Sequence, residues 1–288
     1  MTRTGQYPCT VTRRQHGIAL VMVLWLLVLM TVIASSHSKN IRTETRLAFN
    51  QVETAKARNI AEAGLNHAIL EMLVADLAWR WKTDGTIYPV GFDQGTAHIA
   101  VRDVRGLIDI NRAGAALFEA VFAAAGLDNR AERKALVDAV LDWRDPDKLK
   151  HLNGAEDDDY QRAGLQWAAR DGAFTSIEEF RYILGMTNEL FAQIAPYLTI
   201  HSNQAGVSAA FAPPWLATIL DANRNLASAA AGAVTGGTAT YRISVRATTK
   251  SSTTTTLEAV VQVGADAREP YRILAWRTPG WSSDANAG

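Results

Sequence analysis

From Ile18 to Ala34 the chain reads IALVMVLWLLVLMTVIA, without a single charge. As an α-helix rising 1.5 Å per residue, this run spans about 25 Å, and continuing it to Ser36 brings it close to the roughly 30 Å of a bilayer core. Arg13 and Arg14 sit immediately before it, and no acidic residue comes before Glu44. That asymmetry keeps the N-terminus cytoplasmic and sends the rest of the chain outward.

Three fates fit the run. A cleaved secretory signal has Val32 and Ala34 as small residues before a cut, but the run exceeds the 7 to 15 residues usual for such an apolar core. A plain uncleaved anchor is the second. The third rests on Arg13-Arg14-Gln15-His16-Gly17 followed by Ile18 and the apolar run. This pattern resembles the type IV prepilin processing site. The resemblance implies a cut by a prepilin peptidase between Gly17 and Ile18, N-methylation of the new first residue Ile18, and retention of the apolar helix.

From Glu44 to Leu77 there is no Pro and one Gly, while Leu47, Val52, Ala55, Ala61, Leu65, Ile69, Met72 and Leu73 recur at roughly helical spacing. One helix running from membrane into an exported domain is the natural reading, and it is the pilin architecture. An anchor followed by an unrelated amphipathic helix is the alternative.

Beyond the helix, Gly95 to Val104 alternates as a strand, with Ile99 and Val101 on one face and His98, Ala100 and Arg102 on the other. A Gly- and Pro-marked loop around Gly85 to Gly91 precedes it. Much later, Tyr241, Ile243, Val245 and Ala247 alternate with polar residues, Lys250 to Ser252 read as a turn, and Thr256 to Val263 and Tyr271 to Trp276 follow as further strands. Between these strands the spacing predicts helices over Ala115–Ala125, Arg130–Trp143, Gln161–Arg170, Ser176–Leu184 and Asn188–Ile194, with Ser176 and Glu179 as a capping box.

The expected fold class is therefore α+β. A transmembrane helix continues into a pilin-like long helix packed on a small antiparallel sheet, and a large all-helical domain is inserted between strands. The expected parts are a leader (1–17), a transmembrane helix (18–36), a first pilin-like part (37–105), the insertion (106–205), a second pilin-like part carrying the sheet (206–276) and a tail (277–288).

Most pilin-like subunits carry a glutamate at the fifth residue of the mature chain. Here that place is held by Met22. An ionised group in hydrocarbon is costly unless paired, so a glutamate is kept there only where a partner charge exists. A subunit with no neighbour ahead of it needs none, although Met22 also reads as one more apolar residue of an anchor. This departure, with the segment Ile18 to Trp25 and the phrases Gly106–Asn111, Asn153–Asp157, Pro196–Ser202 and Tyr271–Trp276, resembles the K-type minor pseudopilins of the type II secretion system. The resemblance implies a subunit at the pseudopilus tip that starts pseudopilus assembly and helps export folded proteins. Its implied partners are I- and J-type minor pseudopilins, the major pseudopilin and the inner-membrane assembly platform, with the exported domain in the periplasm.

Asp142, Asp145 and Asp147 lead into Glu156, Asp157, Asp158 and Asp159, an acidic loop between two predicted helices. Like charges this dense repel, and a hard divalent cation with six to eight oxygen ligands relieves the repulsion. The spacing does not match an EF-hand. The K-type resemblance implies calcium here, with Asp142, Asp145, Asp147, Glu156 and Asp157 as ligands and Asp158 and Asp159 in reserve. A solvated acidic loop partly neutralised by Lys148 and Lys150 is the bland alternative.

Composition narrows the remaining classes. Apolar residues make up 48% and charged residues 20%, a globular balance. The 29 basic and 29 acidic residues, or 26 against 29 once Arg3, Arg13 and Arg14 leave with the leader, give no basic footprint. The segments Ile108–Leu127 and Phe174–Leu198 look like degenerate helix-hairpin-helix units, but the acidic residues around them would repel phosphates, so no nucleic acid is expected. Cys9 is the sole cysteine, which excludes an intrachain disulfide. His37, His67, His98, His151 and His201 stand singly, and no HExxH, P-loop or GxSxG pattern occurs. No enzyme is expected, and a secreted or membrane-anchored periplasmic hydrolase is the alternative from another class.

Overall fold

The structure is a computed structural model. It describes residues 18–74, 76, 78–228, 238–264 and 269–277, with the backbone alone described at 34 and 36–43. The expected leader with Gly17 and Cys9, and the tail beyond Arg277, lie outside the described residues. In chain order the elements are α1 (Ile18–Leu73), β1 (Asp84–Phe92), β2 (Gly95–Asp103), β3 (Ile108–Asp109), α2 (Ala115–Ala124), α3 (Arg130–Arg144), α4 (Asp157–Arg162), α5 (Asn188–Ile194), β4 (Leu198–Thr199), β5 (Val207–Ser208), α6 (Pro214–Ala222), β6 (Ala227–Ser228), β7 (Ala239–Thr249), β8 (Thr254–Val263) and β9 (Tyr271–Arg277).

The chain divides into two compact units, Met1–Ala55 and Lys56–Gly288. In the first, the large apolar side chains from Ile18 to Ile33 are all exposed, from 49% at Val28 to 76% at Leu20. Thr31 returns its hydroxyl to the Val28 carbonyl at 2.7 Å, so the helix backbone satisfies this polar group. Among the described residues no helix is both long and apolar enough to cross a membrane. Ala34 and Ser36, which complete the expected 18–36 span, are among the residues whose side chains are not described.

In the second unit, β1, β2, β7, β8 and β9 form one sheet in that order, every neighbouring pair antiparallel. Because side chains alternate across a strand, Ala97, Ile99 and Val101 share a face with Ile243, Val245, Leu257, Ala259 and Val261. That face is buried against Ile60, Ala61, Leu65, Ala68, Ile69 and Met72 of α1, whose three- and four-residue spacing makes one helical stripe. The α+β class with an N-terminal helix and an antiparallel sheet is thus as expected. β1 is a departure, since Gly85 to Gly91 was expected as a loop. Pro89 and the glycines are tolerated because β1 is the edge strand, where a missing N–H costs no ladder bond.

Between β2 and β7 the chain builds a second apolar cluster around Phe118, Phe122, Val140, Trp143, Tyr160, Phe180, Ile194 and Leu198. α2, α3 and α5 fall where the spacing predicted helices. Gln161–Arg170 does not form one: the helix begins earlier, at Asp157, and ends at Arg162, and Gly164 just beyond has a φ of +75°, which turns the chain away. Ser176–Leu184 forms only a 3₁₀ turn, Ile177–Tyr182, and Ser176 makes no side-chain cap. Glu179 accepts instead from the N–H (3.1 Å) and the hydroxyl of Thr175. Nor is the segment wholly helical. β3 pairs with β4, and β5 with β6, as two short parallel ladders.

The two clusters are joined by charged side chains. Arg242 of β7 gives hydrogen bonds to the carbonyls of Pro196 (2.9 Å) and Leu198. Arg105 pairs with the buried Asp103 at 2.6 Å and lies 4.5 Å from the centre of the Phe211 ring.

Gly64 is where α1 touches the sheet. A Cβ built there would stand 3.0 Å from both Ala97 Cβ and Val245 Cγ1. Gly64→Val overpacks this contact and is expected to cost about 1–3 kcal/mol. Gly91→Ala, with nothing within 4 Å of the new Cβ, is expected to stay within about 0.5 kcal/mol of the parent. Denaturant melts of the two variants beside the parent check both figures.

Candidate metal centre in the acidic loop

The site starts at the end of α3. Asn129 caps its first turn, accepting from the N–H groups of Ala131 (3.0 Å) and Glu132 (3.4 Å). At the other end Arg144 gives hydrogen bonds to the carbonyls of Ile110 and Ala113, both at 2.7 Å. Held at both ends, α3 fixes the direction in which Asp142 and Asp145 project.

Asp142 is fully buried and organises the loop that follows. One of its oxygens accepts from the His151 N–H (3.1 Å) and meets His151 Nδ1. The other accepts from the Ala155 N–H (2.8 Å). Gly154 lies against this second oxygen so closely that a Cβ would collide with it. The loop then enters α4, whose first turn carries Asp157, Asp158 and Asp159 at the positive end of the helix dipole. Asp171 arrives from far along the chain. Asn111 pins the neighbouring segment by exchanging hydrogen bonds with the Phe174 backbone (2.7 and 3.0 Å), and the Gly172 N–H reaches the Trp143 carbonyl at 3.4 Å.

Two groups of potential ligand atoms result, each gathered within 4.8 Å: Asp142, Asp145 and His151, and Glu156, Asp157 and Asp171. Of the residues expected from sequence, Asp142, Asp145, Glu156 and Asp157 are therefore brought together. Asp147 is exposed and accepts from the Leu149 N–H (2.8 Å), and Asp158 is exposed. Asp159 is engaged by Lys150 (2.9 Å), Arg162 and the Glu156 N–H (3.1 Å). His151 and Asp171 were not anticipated. His151 has no partner visible in the sequence, and the tertiary fold gives it Asp142. Asp171 lies beyond a helix and a turn, where no local spacing points back to the loop.

Four carboxylate oxygens in these groups are buried without a hydrogen-bond partner: Asp145 Oδ1, Asp171 Oδ1 and both oxygens of Glu156. An unpaired buried carboxylate is costly, so such atoms favour a proton or a cation. Burial first, and then Asp142, Asp171, Asp145 and Asp157, push the Glu156 carboxyl up to about 7. Burial, then Asp147 and Asp142, also raises Asp145, and the hydrogen bond with Asp142 raises His151 despite its burial. The second group holds oxygen donors alone, which suits a hard cation, with waters or carbonyls completing the six to eight ligands calcium takes. Lys148 already lends it a positive charge, its ammonium lying 3.0 Å from Asp157 and 3.7 Å from Asp171. The donor set therefore fits a divalent cation.

In metal-free solution these shifts fix the sign of the pH dependence. A carboxyl whose folded value lies above its unfolded one contributes stability that is complete below about pH 4.5 and lost as the pH rises towards about 7 for Glu156. Asp145 and His151 act in the same direction. With a chelator present, the melting temperature is expected to be higher at pH 5 than at pH 8, and Glu156→Gln is expected to flatten that slope. A slope unchanged by the substitution in thermal melts would count against the assignment.

The profile of the family described as type II secretion system, protein K matches residues 100–203, and that described as PilX N-terminal matches residues 16–66. The type II secretion system protein K of Aeromonas hydrophila is 27% identical over 65% of this chain and 63% of its own length. That of Klebsiella pneumoniae is 26% identical over 76% of each. The match to the Pectobacterium carotovorum protein is 27% identical over 64% of this chain and 62% of the relative. The chain thus spans less than two thirds of two of these relatives. One chain of the crystal structure of the GspK-GspI-GspJ complex from the type 2 secretion system of enterotoxigenic Escherichia coli superposes with a TM-score of 0.56. It is 14% identical, and the match covers 83% of this chain and 100% of that one, a likeness of fold. The N-terminal match, the match across the segment between β2 and β7 and the agreement of three relatives point one way: the chain is similar to the type II secretion system protein K family.

Proposed function

We propose that this chain is the first subunit of a type II secretion pseudopilus, anchored in the inner membrane by α1, with its N-terminus cytoplasmic and its second unit in the periplasm. The observation that carries the reading is the start of α1, where the large apolar side chains from Ile18 to Ile33 all face outward. So continuous an apolar surface calls for lipid or other helices around it. Met22 lies within it, 68% exposed and uncharged. A subunit with no carboxylate there has nothing to offer the amino terminus of a subunit ahead, which suits the leading place.

On this reading a prepilin peptidase cuts between Gly17 and Ile18, and Ile18 becomes N-methylated. α1 then waits in the membrane and packs beside the apolar helices of I- and J-type minor pseudopilins and the major pseudopilin on the inner-membrane assembly platform. The cap so formed starts the filament that moves folded periplasmic proteins across the outer membrane. The large segment between β2 and β7 suits a subunit that nothing has to stack upon. The role is structural rather than catalytic.

Calcium would be held by Glu156, Asp157 and Asp171, with Asp142 and Asp145 beside them, and would supply the charge that these carboxylates lack. Its part is to fix the loop between α3 and α4.

N-terminal analysis of the protein from membranes is expected to begin at methylated Ile18, whereas a soluble product starting near Ser35 would overturn the anchored reading. Calcium is expected to raise the melting temperature, a ligand at a hundredfold excess over Kd being worth about 2.7 kcal/mol. Asp171→Asn together with Asp157→Asn is expected to remove that gain, and an unchanged melting temperature in the parent would remove the metal from the proposal.

A further inference from the structure

On the sheet face turned away from α1, a half-open cavity of about 200 Å³ is lined by Gly85, Ala100, Arg102, Pro196, Arg242, Ser244 and Glu258. The register explains how it forms. Arg102 of β2 stands directly opposite Arg242 of β7, and in the next row on that face Ala100 faces Ser244, which in turn faces Glu258 of β8. The small side chains of the second row leave a floor, and Pro196 supplies the wall from the inserted segment.

Two guanidinium groups directly opposite each other repel, and like-charged cross-strand pairs are normally avoided. Here both are drawn out of water as well. Arg242 is 8% exposed, and two of its nitrogens are spent on the Pro196 and Leu198 carbonyls. Its Nε and the Nη1 of Arg102 are buried without hydrogen-bond acceptors. The nearest anionic group to Arg242 is Glu258, 3.9 Å from Nε, a separation too long for a hydrogen bond. Gly85 adopts a φ of +93° beneath the Arg102 guanidinium, where a Cβ would collide with it, so the glycine leaves room for that side chain. Two cations share the cavity with Glu258, Asp84 stands across the strand pair from Arg102, and two N–H groups remain orphaned, with the Ser244 hydroxyl beside them.

We infer that this cavity binds a small oxyanion, a carboxylate or a sulfate-like group, which bridges Arg102 and Arg242 and accepts from Arg102 Nη1 and Arg242 Nε. The anion cancels the cross-strand repulsion and supplies the acceptors that the protein withholds. Burial depresses both arginines, outweighing Asp84 near Arg102 and Glu258 near Arg242. Glu258 competes for the same space and weakens the site. The same chemistry serves a free ion or a glutamate side chain offered by a neighbouring subunit.

The test uses the full chain in detergent, titrated with acetate, sulfate and blocked glutamate (N-acetylglutamate N-methylamide) against chloride at matched ionic strength, followed by thermal melting. Acetate and sulfate are expected to raise the melting temperature saturably. Arg102→Gln is expected to weaken binding about tenfold or more and Glu258→Gln to tighten it by a similar factor, two changes of opposite sign that a general salt effect does not produce. If Arg102→Gln fails to fold, the Glu258→Gln tightening decides alone. Blocked glutamate binding beside acetate identifies a side-chain carboxylate as an occupant, while binding of the free ions alone assigns the site to them. No saturable response in the parent, or the same response in the parent and Glu258→Gln, overturns the proposal.

Discussion

Close contact between α1 and the sheet is the constraint on which the second unit depends. A helix can lie this near a sheet only where one residue gives up its side chain, and Gly64 does so between Ala97 and Val245. On either side of it Ile60, Ala61, Leu65, Ala68, Ile69 and Met72 make up the stripe that the alternating strands bury. The inserted segment has an apolar core of its own and is tied to that layer by charged side chains. Arg242 reaches from the sheet's other face to the carbonyls of the inserted segment, and Arg105 with Asp103 secures the place where the chain leaves β2.

The acidic loop is built in the opposite way, around charge that Lys148, Lys150 and Arg162 neutralise only in part. Asp142 is spent on backbone N–H groups and His151, so it shapes the loop. Glu156 and Asp171 are left with orphaned oxygens. In a loop closed by hydrogen bonds the geometry is already fixed, so a cation binding there would need little further ordering.

Much of this was readable from residue order. The alternation of Ile99 with Val101 and of Tyr241 through Ala247 specifies strands, since a buried face selects the register. The spacing through Met72 specifies the helix stripe, and the family matches over 16–66 and 100–203 agree with the resemblance read from the sequence. The misses have physical reasons. Gly85, Pro89 and Gly91 look like loop residues and become a strand because the edge position excuses them. The acidic first turn of α4 was read as loop, although acidic residues favour a helix N-terminus. His151 and Asp171 acquire partners only through tertiary structure, which spacing does not encode. The opposed arginines were visible as strand residues, but their pairing needed the β2–β7 register.

That register has a further consequence. Asp103 and Tyr241 are cross-strand partners, so the long segment between them departs from the sheet and returns to it at a single rung. Closing a long excursion costs only slightly more than closing a short one, because the entropy grows with the logarithm of its length. The excursion can therefore lengthen, shrink or be exchanged over evolutionary time while the ladder beneath it stays in step, much as a branch is grafted without disturbing the trunk.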